Sequence, residues 1–486
     1  MQNTLGTHEN ALRKANDYLR SASLANDYRQ VYHVIPPIGW MNDPNGLIYY
    51  QGEYHVFFQY HPFSTQWGPM HWGHVKSNNL IDWEYMPVAI APSEEYDADG
   101  CFSGSAVNNE GLLTLIYTGN IRHDTPKQVQ CIAISHDGVT FEKSSANPVI
   151  FEGPFEDTKV DFRDPKVWKV EGTWYMVVGA RREYAKALLY RSENLVNWMY
   201  VGVVAESDGT QGYMWECPDL FELDGKHILI VSPIGMGDHK NIYLVGQMDY
   251  VSGKFTQEFY GELDFGRDFY AAQTFQDSYG RRILLAWMSN WKDPVTTQES
   301  DWAGSLTIPR ELFWLSSGRL GMRPIAELQQ LRVSHKSFSD SYMNGLNHLI
   351  DGIALEIIAS VDINSSTAAE FGLKIRCSDD GREETVVSYH FDNGHLVIDR
   401  SKSGLAVNGT AYSHPLNTVD GKIKLHLFLD TYSVEIFAND GEVCMSNRIY
   451  PNKQSQSLYL FANNGDISVN QLDIWTLSSH SHGNTE

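Results

Sequence analysis

The residues of this sequence that could carry out chemistry are three carboxylates, each near the start of a short apolar run. Asp43 lies in WMNDPNG, Asp164 in FRDP and Glu216 in WECPD. One ionised and one protonated carboxyl group, placed on either side of a glycosidic bond, are what its hydrolysis requires. Arg163 precedes Asp164 and could keep one carboxylate anionic, whereas Glu216 follows Trp215 and has the less polar setting. We therefore expect Glu216 to be the proton-bearing acid.

These carboxylates belong to a pattern that repeats through the first 300 residues. Five segments each contain a half-apolar run, a turn with a glycine and a richer apolar run, which is typical of a β-hairpin. The five turn glycines are Gly52, Gly111, Gly172, Gly225 and Gly280, which are 59, 61, 53 and 55 residues apart. A small sheet repeated about every 40 to 60 residues predicts a five-bladed β-propeller. The alternative is an all-β domain with accidental spacing.

Counting back seven to nine residues from each turn glycine gives a polar residue in every repeat. These residues are Asp43, Ser103, Asp164, Glu216 and Gln273. The innermost strands of a propeller surround a common channel, so we expect these side chains to converge on one pocket. Taken singly, each would be an ordinary turn, surface ion pair or hydrogen-bonded acid, but their coincidence in one repeat position favours a catalytic cluster.

Aromatic residues lie at or near the same predicted funnel, where flat apolar faces could stack on sugar rings. They are Trp40, Trp67, Phe102, Tyr270 and Trp287. Each one alone could equally be a core residue. His71 and His74 in MHWGH could suggest a metal ion, but no further ligand is placed near them, and we expect packing or sugar contacts instead. We expect neither a metal nor a cofactor.

Composition limits the classes of partner. The 486 residues include 37 Lys and Arg against 60 Asp and Glu, a net charge of −23, which argues against nucleic acid and anionic membranes. The five cysteines lack C-x-x-C spacing, which argues against a disulfide framework or a thiolate zinc site. The start lacks the pattern of a secretory signal, and no apolar run approaches a membrane span, so we expect a cytoplasmic protein. The oligomeric state is left open.

The pattern changes near both ends of the repeat region. Leu12, Ala15, Leu19 and Ala22 recur at helical spacing and predict a short N-terminal helix. After residue 336, short runs of alternating polarity predict a β-sandwich. We expect an N-terminal helical segment at 1–26, a propeller catalytic domain at 27–323, a linker helix at 324–335 and a sandwich at 336–480. The sandwich supplies no acidic turn like those of the repeats, so we interpret it as mainly structural.

Six motifs together resemble glycoside hydrolase family 32, the invertases and fructan hydrolases. They are WMNDPNG, FSGSAV, FRDP, WECPD, FYAAQTF and DTYSVEIF. The resemblance implies a propeller joined to a β-sandwich and retaining hydrolysis of terminal β-D-fructofuranosides through a covalent fructosyl-enzyme intermediate. It implies that Asp43 is the nucleophile, Asp164 the transition-state stabiliser and Glu216 the acid/base. It also implies that the fructosyl unit is held by Asn42, Gln59, Trp67, Phe102, Ser103 and Arg163. One departure is Asn79, where relatives commonly have Asp.

The substrate is expected to be a small sugar or sugar phosphate. Within the family, YRQVYHVIPPIGWMNDPNG and GYMWECPDLF most resemble bacterial sucrose-6-phosphate hydrolases, which implies sucrose 6-phosphate, sucrose or both. Cationic residues that follow the second hairpin strands should rim the pocket and could bind a phosphate; they are Arg122, His123, Arg181, Arg182 and Lys292. Alternatively, they are solvated charges or partners of nearby acids such as Asp124 and Glu183.

Three other functions remain open. One is an exo-acting hydrolase of inulin or levan. Another is a sugar-binding propeller without catalysis. The third is an inverting five-bladed glycosidase that acts on arabinose-containing glycans, which a wider separation of the two carboxyl groups would distinguish.

Overall fold

The computed structural model describes residues 7–22, 28–124, 127–181, 183–237, 241–405 and 412–478. The chain begins with α1 (His8–Ser21), whose first turn is capped by the Thr7 hydroxyl. Ala15 is fully buried, and Leu12 and Leu19 pack against the main hydrophobic core, which confirms the predicted helix. None of the described helices is both long and apolar enough to cross a membrane.

Within the described residues, five antiparallel sheets follow, and they confirm the five-bladed propeller. Blade 1 consists of β1 (Gly39–Tyr50), β2 (Glu53–His61), β3 (His71–Ser77) and β4 (Glu84–Tyr85). Blade 2 consists of β5 (Cys101–Asn109), β6 (Leu112–Asn120), β7 (Gln128–Ser135) and β8 (Glu142–Lys143). Blade 3 consists of β9 (Phe162–Val170), β10 (Thr173–Arg181), β11 (Ala185–Ser192) and β12 (Met199–Glu206).

The last two blades have the same order of strands. Blade 4 consists of β13 (Met214–Leu223), β14 (Lys226–Ile234), β15 (Ile242–Asp249) and β16 (Lys254–Glu262). Blade 5 consists of β17 (Tyr270–Gln276), β18 (Arg282–Trp287), β20 (Arg310–Trp314) and β21 (Leu320–Pro324). Between β18 and β20, the short strand β19 (Trp302–Ala303) pairs in parallel with the start of β1. This pairing ties the last blade to the first and closes the ring.

Local turn chemistry explains why the first four hairpins form. Each has a two-residue loop whose second residue is the predicted glycine, and both loop residues have positive φ angles. The pairs are Gln51–Gly52, Glu110–Gly111, Glu171–Gly172 and Asp224–Gly225. A two-residue turn of this kind matches the right-handed twist of the flanking strands and favours glycine, which has no Cβ to oppose a positive φ.

A ten-stranded β-sandwich follows the propeller. Its strands are β22 (Arg332–Asp351), β23 (Leu355–Asp362), β24 (Glu370–Cys377), β25 (Glu384–His390), β26 (His395–Lys402), β27 (Tyr412–Pro415), β28 (Lys422–Asp430), β29 (Ser433–Ala438), β30 (Val443–Arg448) and β31 (Ser457–Leu477). The long strands β22 and β31 pair along their length. The first part of β31 also pairs with β24 and its last part with β23, so that β31 joins the two halves around one hydrophobic core.

Short 3₁₀ helices connect several of these strands. They are Glu95–Asp97, Glu156–Lys159, Thr296–Ser300, Ala326–Leu331 and Asn439–Gly441. The segment Ala326–Leu331 lies within the expected linker, and β22 begins directly after it. Leu328 and Leu331 are its buried residues.

The propeller and the sandwich meet across a network of buried charges. Arg310 of β20 pairs with Asp264 at 3.0 Å and with Glu435 of β29. Asp268, which lies just before β17, pairs with Arg448 of β30 at 2.9 Å. All five side chains are at most 4% exposed. Asp264 is 9% exposed when its backbone atoms are included. Because burying a charge is costly unless it is paired, these contacts fix how the two domains fit together.

Candidate active site

The first strand of every blade has a β-bulge at a corresponding level. Pairing with the second strand is interrupted directly after Met41, Phe102, Arg163, Glu216 and Tyr270. A bulge bends a strand and redirects its side chains, and bulges are frequent beside active sites. Asp43, Ser103 and Asp164 lie within the first three bulges. Asp164 has a positive φ of 66°, as do the bulge residues Cys217 (50°) and Ala271 (55°) of the next two blades.

These registers correct the alignment of the repeats. Counting from the turn glycines placed Asp164, Glu216 and Gln273 at one position, which is wrong for the last two. Glu216 is instead level with Arg163 and Tyr270, the residues that precede the neighbouring bulges. Gln273 follows its bulge, and its amide donates a hydrogen bond to the Cys217 carbonyl at 2.9 Å. The count fails because it accepted offsets of seven to nine residues: Glu216 lies nine residues before its turn glycine, as Arg163 does, whereas Asp164 lies eight residues before its own.

Asp43 is a half-buried carboxylate held by hydrogen-bond donors. The Ser103 hydroxyl donates to its Oδ2 at 2.7 Å, and the Asn42 amide donates to its Oδ1 at 3.0 Å. Burial raises the pKa of Asp43 to about 6, against the opposing effect of these two donors, and the nearby charge of Glu216 adds to the increase. Asp43 is therefore oriented by its neighbours, and its lone pairs remain available in the ionised state.

Asp164 lies beside Asp43, with the Cys217 thiol between them. The Cys217 sulfur is 3.6 Å from Oδ2 of each aspartate, and its backbone N–H donates to Asp164 Oδ2 at 2.9 Å. Burial raises the pKa of Asp164 to about 7; Arg163 lowers it, while Glu216 and Asp43 raise it. Sequence reasoning did not single out Cys217, although it directly follows Glu216 in WECPD.

Arg163, Glu216 and Tyr270 form a row across three neighbouring blades. Arg163 Nε donates to Glu216 Oε1 at 3.0 Å, and the Tyr270 hydroxyl donates to Glu216 Oε2. The guanidinium of Arg163 also donates to Asp161 at 2.7 Å. The expectation that Glu216 has the less polar setting is wrong, because both of its oxygens accept hydrogen bonds, one from a cation. The bulges cause this arrangement by bringing the three residues to the same level.

A cavity of about 270 Å³ contains the three carboxylates. Its lining includes Asn42, Asp43, Gln59, Trp67, Phe102, Ser103, Arg163, Asp164, Glu216 and Trp291. The structure therefore brings together all six residues that the family resemblance implied for binding a fructosyl unit. Gln59 is oriented by its own hydrogen bond to the Cys101 carbonyl at 3.0 Å.

A second cavity, of about 360 Å³, adjoins the first. Its lining includes Glu216, Pro233, Ile234, Gly235, Gly237, Arg267, Tyr270, Asn290, Trp291 and Lys292. Glu216 and Trp291 line both cavities, so they lie at the boundary. Trp291 is 50% exposed, and sequence reasoning missed it, although the run WMSNW was the available signal.

Trp40 and Trp287 do not take the positions expected for sugar stacking. Trp287 is fully buried, and Trp40 is 6% exposed and donates its indole N–H to Asn42 at 2.8 Å. Both rings pack against Trp291, at centroid distances of 6.0 Å for Trp40 and 4.8 Å for Trp287. Trp40 and Trp287 therefore pack against the face of Trp291 that is turned toward the core, because both belong to a buried hydrophobic cluster.

The candidate phosphate ligands are distributed over several places. Lys292 lines the second cavity and donates to the Gly237 carbonyl at 2.8 Å. The Arg122 guanidinium lies 5.5 Å from the centroid of the Trp67 ring, and that of Arg181 lies 4.8 Å from the Tyr213 ring. Arg182 lies outside the described residues.

His71 and His74 are buried in blade 1. His71 contacts the Pro69 carbonyl at 3.0 Å, and His74 stacks on Phe57 with ring centroids 4.1 Å apart. Burial lowers the pKa of both imidazoles, that of His71 to about 3. Among the described residues, no three or more His, Cys, Asp or Glu side chains are grouped so that they could hold a metal ion.

Comparison with known proteins covers nearly the whole chain. Residues 33–324 match the family model described as "Glycosyl hydrolases family 32 N-terminal domain". Residues 327–476 match the model described as "Glycosyl hydrolases family 32 C terminal". A sucrose-6-phosphate hydrolase of Zymomonas mobilis is 41% identical over 96% of this chain and 95% of its own. A raffinose invertase of Escherichia coli is 39% identical over 98% and 100%. The structure of a mutant Bombyx mori GH32 beta-fructofuranosidase in complex with sucrose has a TM-score of 0.83 and 37% identity, covering 97% of this chain and 99% of its own.

Proposed function

This chain belongs to glycosyl hydrolase family 32 and is a glycoside hydrolase of the β-fructofuranosidase type, and we propose that it cleaves its substrate with retention of configuration. Asp43 is the nucleophile that forms a covalent fructosyl-enzyme intermediate, Glu216 is the acid/base, and Asp164 stabilises the transition state. The substrates are sucrose and sucrose 6-phosphate, in keeping with the names of its relatives.

The position of Glu216 between two cavities is the observation that carries this assignment. Asp43 and Asp164 line only the first cavity, whereas Glu216 lines both. A terminal fructosyl unit in the first cavity and its leaving group in the second would place the glycosidic oxygen at their boundary. A general acid must reach that oxygen, and a nucleophile must reach the sugar carbon from the other side.

The reaction follows from this placement in two steps. Asp43 attacks the anomeric carbon of the fructosyl unit, while Glu216 transfers its proton to the departing glycosidic oxygen. Water then attacks the intermediate; Glu216 takes a proton from the water, and Asp43 is released. Arg163 and Tyr270 stabilise the Glu216 carboxylate that remains after the first step, because both donate hydrogen bonds to it.

The stereochemistry of transfer to methanol tests the proposal. With sucrose in aqueous methanol, a retaining enzyme transfers the fructosyl unit from Asp43 to methanol and gives methyl β-D-fructofuranoside, which NMR identifies. Formation of the α-anomer would contradict the proposed double displacement.

Preference for a phosphorylated substrate is assigned to Lys292. The glucose 6-phosphate part of sucrose 6-phosphate is the leaving group, so its phosphate enters the second cavity, which Lys292 lines. We expect Lys292→Gln to raise KM for sucrose 6-phosphate more than KM for sucrose, since a charge-assisted contact is lost. Arg122→Gln is the control, because Arg122 lies over Trp67 of the first cavity. Equal increases for both substrates in Lys292→Gln would exclude this role.

A further inference from the structure

The second cavity depends on an irregular loop at residues 288–295. Asn290, Trp291 and Lys292 of this loop all line the cavity. The loop turns around the side chain of Asn290, whose Oδ1 accepts hydrogen bonds from the backbone N–H groups of Lys292 and Asp293, both at 2.9 Å. The orientation of this one amide group therefore determines how Trp291 and Lys292 are presented.

A buried carboxylate holds the Asn290 amide in that orientation. Asn290 Nδ2 donates to Asp268 Oδ1 at 2.7 Å and to Asp293 Oδ2 at 3.1 Å. Asp268 is fully buried. As long as Asp268 stays in place, the NH₂ group of Asn290 faces inward and its oxygen faces the two backbone amides of the turn.

Two arginines of the sandwich hold Asp268 in place. Arg448 donates to it twice, from the backbone N–H at 2.8 Å and from Nε at 2.9 Å. Arg400 donates to Asp268 Oδ2 at 3.1 Å and to the Arg448 carbonyl at 2.7 Å. Both arginines are at most 3% exposed. A continuous set of hydrogen bonds thus runs from the sandwich through Asp268 and Asn290 to the turn that carries Trp291.

We propose that Arg448, assisted by Arg400, is a positioning residue for the leaving-group cavity, so that the sandwich domain controls affinity for the leaving group. Neither arginine lines either cavity; both act through Asp268 and Asn290. The inference rests on the proposed function, because that function assigns the second cavity to the leaving group. It changes the interpretation of the sandwich, which the sequence indicated to be mainly structural.

A pair of substrates with different leaving groups separates this role from a general structural one. Sucrose places glucose in the second cavity, whereas β-D-fructofuranosyl fluoride has a leaving group too small to fill it. We expect Arg448→Gln to raise KM for sucrose by roughly threefold to thirtyfold, the effect typical of breaking a coupled network. The value of kcat/KM for the fluoride should stay unchanged, because the first cavity is intact. Arg448→Lys, which keeps the charge, should restore part of the affinity for sucrose.

The control is Gln30→Ala, which removes a buried hydrogen bond to Ser433 of 2.7 Å at the same domain interface but does not contact Asp268. It should leave both substrates unaffected. Arg400→Gln keeps Arg448 on Asp268 and should raise KM for sucrose in the same direction, but less; it decides the matter if Arg448→Gln does not fold. Equal losses for both substrates, or no loss for sucrose in any folded arginine variant, would overturn the inference. Failure of the proposed function would look different, since it would appear in the wild-type enzyme, either as no hydrolysis of sucrose or as the α-anomer in the methanol experiment.

Discussion

The stability of this protein should depend on pH through His33, which is fully buried at the interface between the propeller and the sandwich. Its Nδ1 lies 2.7 Å from Asp430 Oδ2, and its Nε2 lies 2.8 Å from Glu435 Oε1. Burial alone would lower the pKa of His33, but hydrogen bonds and charge interactions with these two carboxylates raise it from 6.5 to about 9. Protonated His33 is the cation between two anions.

The sign of the effect follows from linkage. Because the folded-state pKa of His33 is higher than the unfolded value, its stabilising contribution is complete below pH 6.5 and is lost as pH rises through about 9. The shift from 6.5 to about 9 corresponds to about 3 kcal/mol, at roughly 1.4 kcal/mol per pKa unit. With an unfolding entropy of roughly 2.1 cal/mol/K per residue, the 486 residues give about 1 kcal/mol/K, so the shift is worth about 3 °C in Tm.

Thermal unfolding of the wild type and of His33→Gln, followed by circular dichroism from pH 6 to 10, measures this contribution. The variant should be less stable at pH 6, and the difference in Tm should shrink by about 3 °C as pH rises through 9. His335→Gln is the matched control, because His335 also pairs with an aspartate, Asp473 at 2.7 Å, but its side chain is 47% exposed. A Tm difference for His33→Gln that stays constant or grows with pH would refute the reasoning.

Three further predictions concern catalysis. Asp43→Ala should lower kcat by roughly 10⁴-fold or more, as removal of other catalytic nucleophiles does, while circular dichroism shows an intact fold; substantial turnover by the folded variant would exclude Asp43 as the nucleophile. Glu216→Gln should reduce hydrolysis of sucrose by roughly 10²- to 10⁴-fold but largely spare an aryl fructoside with a good leaving group, and equal losses would assign Glu216 another role. In a pH–rate profile, kcat/KM should fall as pH decreases through about 7 to 6. Burial raises the pKa of Asp43 to about 6 and that of Asp164 to about 7, and the nucleophile must be ionised to attack. A fall in kcat/KM that begins only near pH 4 would contradict this prediction.

The sequence contains the signals for features that depend on nearby residues. A two-residue turn with a positive φ needs a glycine, so Gly52 and its counterparts indicate the hairpins and, through their spacing, the number of blades. The three carboxylates can also be recognised from local sequence, because Asp43, Asp164 and Glu216 each lie in a short motif at the start of a hairpin. The family resemblance then implied the residues that line the first cavity, apart from Trp291.

The tertiary structure decided which side chains meet. A bulge shifts the register by a residue or more, and in a strand each shift of one residue moves a side chain to the opposite face. Glu216 therefore lies beside Arg163 and Tyr270 rather than in an apolar setting, although WECPD by itself indicates the latter. Trp40 and Trp287 were indistinguishable in sequence from exposed aromatic residues, and only packing showed that Trp291 covers them.

The link from the sandwich to the active site was least accessible to sequence analysis. Arg448 and Asp268 are 180 residues apart, and the buried ion pair between them forms only where the propeller and the sandwich pack together. No periodicity, turn signal or motif encodes such a contact. Local chemistry thus determined the blades and pointed to the three candidate catalytic carboxylates. Non-local packing determined their hydrogen-bond partners, the surroundings of Trp291 and the contacts between the two domains.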